Sequence, residues 1–145
     1  MTEQELMDVA IAQARKSLAE GGIPIGSALA RDGKLLAVGH NKRVQESDPV
    51  THAEIDCLRA AGRIGGFHHT VLFSTLMPCY LCAGAVVQFG IRKVIVGESR
   101  TFPGAAEFMQ GHEVDVIDLD LPECFEMMRK FIAEHPQLWD EDIGR

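Results

Sequence analysis

Thr51-His52-Ala53-Glu54 and Met77-Pro78-Cys79-Tyr80-Leu81-Cys82 are the two stretches on which the reading of this chain turns. The first sets a histidine and a carboxylate two residues apart. The second follows a proline with two cysteines three apart. Zinc favours imidazole and thiolate ligands in a tetrahedron, and a catalytic zinc keeps one position open for water. On a helix, cysteines at i and i+3 share a face with Cβ atoms roughly 5–6 Å apart, close enough for both sulfurs to reach one ion. Pro78 suits a first helical position, where unpaired N–H groups and positive potential favour thiolates. His52 also falls at a helix start, with Thr51 as the expected N-cap. The expectation is two helix N-termini converging on one Zn2+ held by His52, Cys79 and Cys82.

Three protein ligands leave a place for water, whose pKa a catalytic zinc lowers to around 7. Glu54 is then surplus as a ligand and suited to shuttling protons. Other readings compete. Cys-x-x-Cys alone is also a redox pair or half of a structural zinc site. The structural site needs a fourth ligand from His68, His69 or His112, none at tight ligand spacing. The redox reading leaves His52 and Glu54 without a role, and the bland reading of Glu54 is an exposed first-turn acid favoured by the helix dipole.

A chain of 145 residues, 46% hydrophobic and 24% charged, is one domain with enough apolar residues to bury a core. No apolar run approaches membrane-spanning length, and Met1-Thr2-Glu3-Gln4-Glu5 lacks the basic start of a secretory signal. A cytoplasmic address and no membrane partner are expected, and four cysteines there read as thiols or metal ligands rather than disulfides. The net charge of −7 is uneven: residues 1–100 hold 11 Lys+Arg against 10 Asp+Glu, whereas 101–145 hold 3 against 11. An acidic C-terminal third repels phosphate backbones. That argues against a nucleic-acid partner and for a small neutral substrate.

Thr2 and Glu5 form a capping box, and the apolar spacing from Leu6 to Leu18 predicts a helix ended by Gly21-Gly22. Pro24 to Ala30 and Lys34 to Gly39 flank the turn signal Asp32-Gly33 and predict a hairpin. The glycines from Gly22 to Gly26 suit a close approach of backbone. His40 to Val50 reads as a polar loop, then a helix from about His52 to Ala61, and a central strand from Thr70 to Leu76. The uncharged helix from Cys79 to about Phe89 is expected to be buried around most of its circumference. A strand over Lys93 to Gly97 precedes a loop or brief helix over 103–112, then Glu113 to Ile117 as the last strand and Pro122 to Glu134 as the last helix. Strands alternating with helices predict one α/β layered domain, its sheet mixed because of the hairpin.

Asn41 follows the second strand; its amide offers a donor and an acceptor to a base, or it is simply a turn residue. Phe102 is an apolar wall or a core residue. Cys57 and Cys124 read as buried small hydrophobes. The tail from His135 holds the only tryptophan, Trp139, among acids. Tails fray by default, yet burying Trp139 and Ile143 would close a pocket.

H-x-E followed by P-C-x-x-C is the pattern of zinc-dependent base deaminases. Together with Gly21-Gly22-Ile23-Pro24-Ile25-Gly26, Gly39-His40-Asn41, Val96-Gly97-Glu98, Gly111-His112-Glu113-Val114 and the closing Trp139 with Glu141-Asp142-Ile143-Gly144, it makes the chain resemble the cytidine deaminase-like superfamily. Within it, the chain is most similar to the fungal-type free-base cytosine deaminases, over nearly its whole length. The resemblance implies a three-layer fold with a central five-stranded mixed sheet flanked by helices, a homodimer, and hydrolysis of cytosine to uracil and ammonia in pyrimidine salvage. Position by position it implies His52, Cys79 and Cys82 on zinc, Glu54 as proton shuttle, and Asn41 on the pyrimidine carbonyl. It also implies Asp142 accepting a ring N–H, Phe102 and Trp139 lining a C-terminal lid over 136–145, and Ile25 as floor. Ala53, Met77 and Tyr80-Leu81 depart from the family pattern. Guanine, another amino-heterocycle or the wobble adenosine of tRNA therefore stand as alternative substrates, and a zinc-stabilised binding domain as the non-enzymatic reading.

Overall fold

Asp32 and Gly33 turn the chain back with φ of 51° and 74°, the left-handed backbone a tight hairpin turn requires and these two residues tolerate. The strands they join, β1 (Gly26–Arg31) and β2 (Lys34–His40), pair antiparallel. In the computed structural model, which describes residues Met1–Arg145, β1 pairs antiparallel on its other side with β3 (Thr70–Leu76). From there β3, β4 (Lys93–Glu98) and β5 (Asp115–Asp118) run parallel. The order β2-β1-β3-β4-β5 is the five-stranded mixed sheet that the resemblance implied.

The helices are α1 (Glu3–Ala19), α2 (Arg43–Glu46), α3 (Ala53–Ala61), α4 (Tyr80–Gln88), α5 (Ala106–Gly111), α6 (Pro122–Glu134) and α7 (Pro136–Asp142). Period-two alternation sorts them into layers. Leu29, Leu72, Val94 and Val96 face Cys57 and Leu58 of α3, Ala83 and Val86 of α4 and Met109 of α5. Ala28, Ala30, Phe73 and Ile95 face Leu6, Met7, Ala10 and Ile11 of α1, with Cys124 of α6. The expected capping box opens α1. Two strand glycines let the layers close: a Cβ at Gly26 would lie 2.0 Å from Ala10 O of α1, and one at Gly39 2.3 Å from Cys57 N of α3. A third apolar cluster, including Ile23, Ile25, Leu76, Phe131 and Trp139, gathers where β3 ends. In sheets with parallel strands, that carboxyl end is where ligands bind.

Three expectations are corrected, and one choice between two readings is decided. The polar loop contains the single turn α2, too short to show a period. β5 starts at Asp115 because Glu113 has φ 65°, which no strand accommodates. The uncharged α4 is not buried all round: Cys82, Ala83 and Val86 face inward, while Tyr80, Leu81 and Phe89 are 77%, 45% and 49% exposed. The tail does not fray but folds as α7 with Trp139 buried.

Candidate active site

β3 delivers the chain through Met77 and Pro78 to Cys79, the N-cap of α4, and His52 caps α3. His52 and Cys79 therefore sit at the caps themselves, and Cys82 in the first turn of α4. Pro78 precedes the cap rather than opening the helix. Thr51 is not the cap, because its hydroxyl is committed to Asp48 Oδ2 at 2.9 Å. The caps meet: His52 Nδ1 lies 3.4 Å from Cys79 Sγ and 3.7 Å from Cys82 Sγ. All three donor atoms fall within 4.8 Å of one another. A tetrahedron with Zn–S of 2.3 Å and Zn–N near 2.05 Å has an N···S edge of about 3.6 Å, so the spacing fits such an ion. Two thiolates with an imidazole are also a zinc-type donor set. The fourth-ligand candidates lie elsewhere: His112 Nδ1 contacts Phe108 O at 2.9 Å, His68 packs by Gly90, and His69 is exposed.

Without metal the cluster polarises itself. The Cys82 thiol and His52, both donating to Cys79 Sγ, hold Cys79 down at about 4 in spite of burial. Burial opposes charge on His52, but the Cys79 thiolate and the carboxylates of Asp142 and Glu54 lift it to about 9. Cys82, facing the Cys79 thiolate and buried, stays protonated. Glu54 is not an exposed first-turn acid: it is 4% exposed, and burial with the nearby Cys79 thiolate raises it to about 7. Cys57 and Cys124 are pushed up to about 12 by burial, inert core thiols as expected.

Asn41 is fully buried and held on three sides. Its N–H donates to Ile25 O at 3.0 Å, and its carbonyl accepts from Ser17 Oγ at 2.7 Å and Gln45 Nε2 at 3.0 Å. Its Oδ1 accepts from Arg43 N–H at 2.9 Å, which leaves Nδ2 without a partner. With Oδ1 already bonded to Arg43, Nδ2 is the Asn41 group wholly free for a ligand. Asp142 Oδ1 is likewise buried and without a hydrogen bond, 3.5 Å from His52 Nε2. Burial raises the Asp142 carboxyl, against the pull of His52, Arg43 and the nearby Asn41 amide.

Ile25, His52, Glu54, Cys79, Phe102, Trp139 and Asp142 line one small cleft with Leu76, Met77 and Ile143. Phe102 meets Trp139 edge to face, centroids 5.7 Å apart. Leu76 escaped the sequence reading, since the last residue of an apolar strand looks like any core residue; only its place at the carboxyl end of β3 marks it. A larger polar cleft between α2 and α7, lined by Arg43, Ser47, Asp48 and Glu141, flanks the tail from outside.

The family described as the cytidine and deoxycytidylate deaminase zinc-binding region matches residues 1–98. The cytosine deaminase of Candida albicans is 41% identical over 141 residues, 95% of this chain and 94% of that protein. A tRNA-specific adenosine deaminase of Streptococcus pyogenes serotype M18 is 33% identical over 140 residues, 88% of each. The structure of a guanine deaminase from Nitrosomonas europaea shares the fold at a TM-score of 0.75, with 21% identity over 91% of this chain and 85% of that one. Matched over more than half its length, and similar to a relative almost end to end, the chain belongs to the cytidine and deoxycytidylate deaminase zinc-binding family.

Proposed function

We propose that the chain is a zinc-dependent deaminase of a free nucleobase, hydrolysing cytosine to uracil and ammonia. One observation carries this: Glu54, a buried carboxyl, stands beside the three-donor cluster in one small cleft. Its lining, mostly apolar with a few polar groups, is that of a small-molecule site rather than of a polynucleotide groove. The likeness to the Candida albicans cytosine deaminase, nearly end to end in both chains, supports cytosine.

His52, Cys79 and Cys82 would hold Zn2+, which when bound supplies a water acidified to near neutrality. Glu54 would move one proton from the attacking water to the ring nitrogen beside the amine-bearing carbon, to which the water oxygen bonds. The same carboxylate moves the second proton to the amine, the C–N bond breaks, ammonia departs and the carbonyl of uracil remains. A carboxyl that titrates near neutrality is matched to taking and giving protons. Asn41 Nδ2 donates to the pyrimidine carbonyl and Asp142 accepts a ring N–H. Both are buried atoms without partners, and a base would satisfy what burial leaves costly. Ile25 forms the floor, and Phe102 with Trp139 forms the lid, residues 136–145 closing one catalytic domain of 1–145.

Asp140, Glu141 and Asp142 in α7 oppose a phosphate backbone near the cleft, against a tRNA substrate. The exposed apolar strip of α4, with Tyr80, Leu81 and Phe89, is the face we assign to a second copy in a homodimer. Four unpaired thiols fit the reducing cytoplasm. The deciding experiment is ammonia release by zinc-loaded protein from cytosine, guanine, adenine, isoguanine and a tRNA anticodon stem-loop. Cytosine turnover is expected; turnover of guanine without cytosine would overturn the assignment of the base.

A further inference from the structure

Glu98 ends β4 with its side chain fully buried, yet it joins none of the ion pairs of the chain. A carboxylate taken out of water without a cation is costly unless hydrogen bonds replace hydration. Both replacements come from one residue: Thr101 N–H donates to Oε2 at 3.0 Å, and the Thr101 hydroxyl donates to Oε1. The next residue is Phe102, whose ring meets Trp139 of α7. The far end of this loop is held too. Ala105 N–H donates to Pro78 O at 2.9 Å, and a Cβ at Gly104, where φ is 61°, would lie 2.6 Å from that same oxygen. Segment 99–105 thus runs from the end of β4 to the residue before Cys79, pinned at both ends with Phe102 between.

We propose that Glu98 is the positioning residue of the aromatic pair covering the cleft. Its carboxylate holds Thr101 so that Phe102 forms the seat on which Trp139, and with it α7, docks. Glu98 is not among the residues lining the cleft, and both hydrogen bonds of its side chain go to this loop. The inference deepens the deaminase reading and rests on it only for its kinetic readout.

Trp139 is the single tryptophan, so its fluorescence reports the docking directly. In full-length zinc-loaded protein, Glu98→Ala is expected to make Trp139 emission red-shifted and open to acrylamide quenching, with zinc content unchanged. For cytosine, KM should rise by about tenfold with kcat within about threefold, the signature of lost binding rather than lost chemistry. Glu98→Gln keeps an acceptor for Thr101 N–H and offers an N–H to Thr101 Oγ1, so it should restore wild-type quenching and KM. Thr101→Val, which loses only the hydroxyl, should fall between. Wild-type quenching in Glu98→Ala would overturn the proposal, as would Glu98→Gln being as impaired as Glu98→Ala. If Glu98→Ala fails to fold, Thr101→Val decides, and wild-type quenching and KM there overturn it. Should the wild type turn over no cytosine, the substrate assignment fails while the quenching comparison still decides the role of Glu98.

Discussion

His52 Nε2 lies 3.5 Å from Asp142 Oδ1, while the other nitrogen of the same ring faces two sulfurs. The last helix of the chain therefore reaches the back of the donor cluster. At that distance the contact is charge attraction rather than a hydrogen bond, which leaves Oδ1 free to accept from a ligand.

Replacing Asp142 tests this relationship. Asp142→Ala should lower kcat/KM for cytosine by about 10- to 100-fold, the loss of one hydrogen bond to a charged buried group. Zinc content by elemental analysis should stay near wild type, because the three donors are untouched. Unaltered kinetics would remove α7 from substrate binding.

Glu54→Gln separates metal binding from chemistry. The amide keeps the shape of the carboxyl but cannot carry protons, so turnover should fall by at least about 100-fold with normal zinc content. Near-wild-type turnover would exclude Glu54 from proton transfer.

The same substitution predicts a pH effect on the metal-free protein. Burial raises Glu54 from 4.5 to about 7, so between those values the native state holds a proton that the unfolded chain has released. Stability must then fall as pH rises through that window. The amide lacks this penalty. Thermal or urea unfolding should find the two proteins alike below about pH 4.5 and Glu54→Gln more stable above pH 7, by roughly 3 kcal/mol. A variant less stable than wild type at pH 8 would contradict the sign.

Alkylation should single out Cys79. In metal-free protein it is a thiolate down to about pH 4 and partly accessible, whereas Cys57 and Cys124 are buried thiols raised to about 12. Iodoacetamide at pH 6, followed by peptide mass analysis, should label Cys79 first and spare the other two until unfolding. Zinc should protect it. Equal labelling of all four cysteines would argue against the polarised cluster.

Much of the fold was legible because its signals are local. Asp32-Gly33 between apolar runs defined the hairpin, and the Thr2–Glu5 box defined where α1 begins. Thr70–Leu76 betrayed its central place by having no polar side. The metal donors were legible for the same reason, since His52, Cys79 and Cys82 have chemistry that few other roles require. What escaped were features without a period or set by neighbours. α2 is one turn long, and Thr51 was drawn from capping by Asp48. The apolar outer strip of α4 reads from sequence like its inner face.

By itself, the sequence determined the elements, the donor set and the carboxylate beside it, because spacing along a strand or helix dictates which side chains share a face. Only the tertiary structure showed that Asn41 is buried with Nδ2 unpartnered while its oxygen bonds Arg43 N–H. Only the fold, too, placed an acidic tail against His52 and turned Phe102 to meet Trp139. Those relations join residues far apart in the chain, and they exist because packing α7 over the end of the sheet removes Trp139 from water.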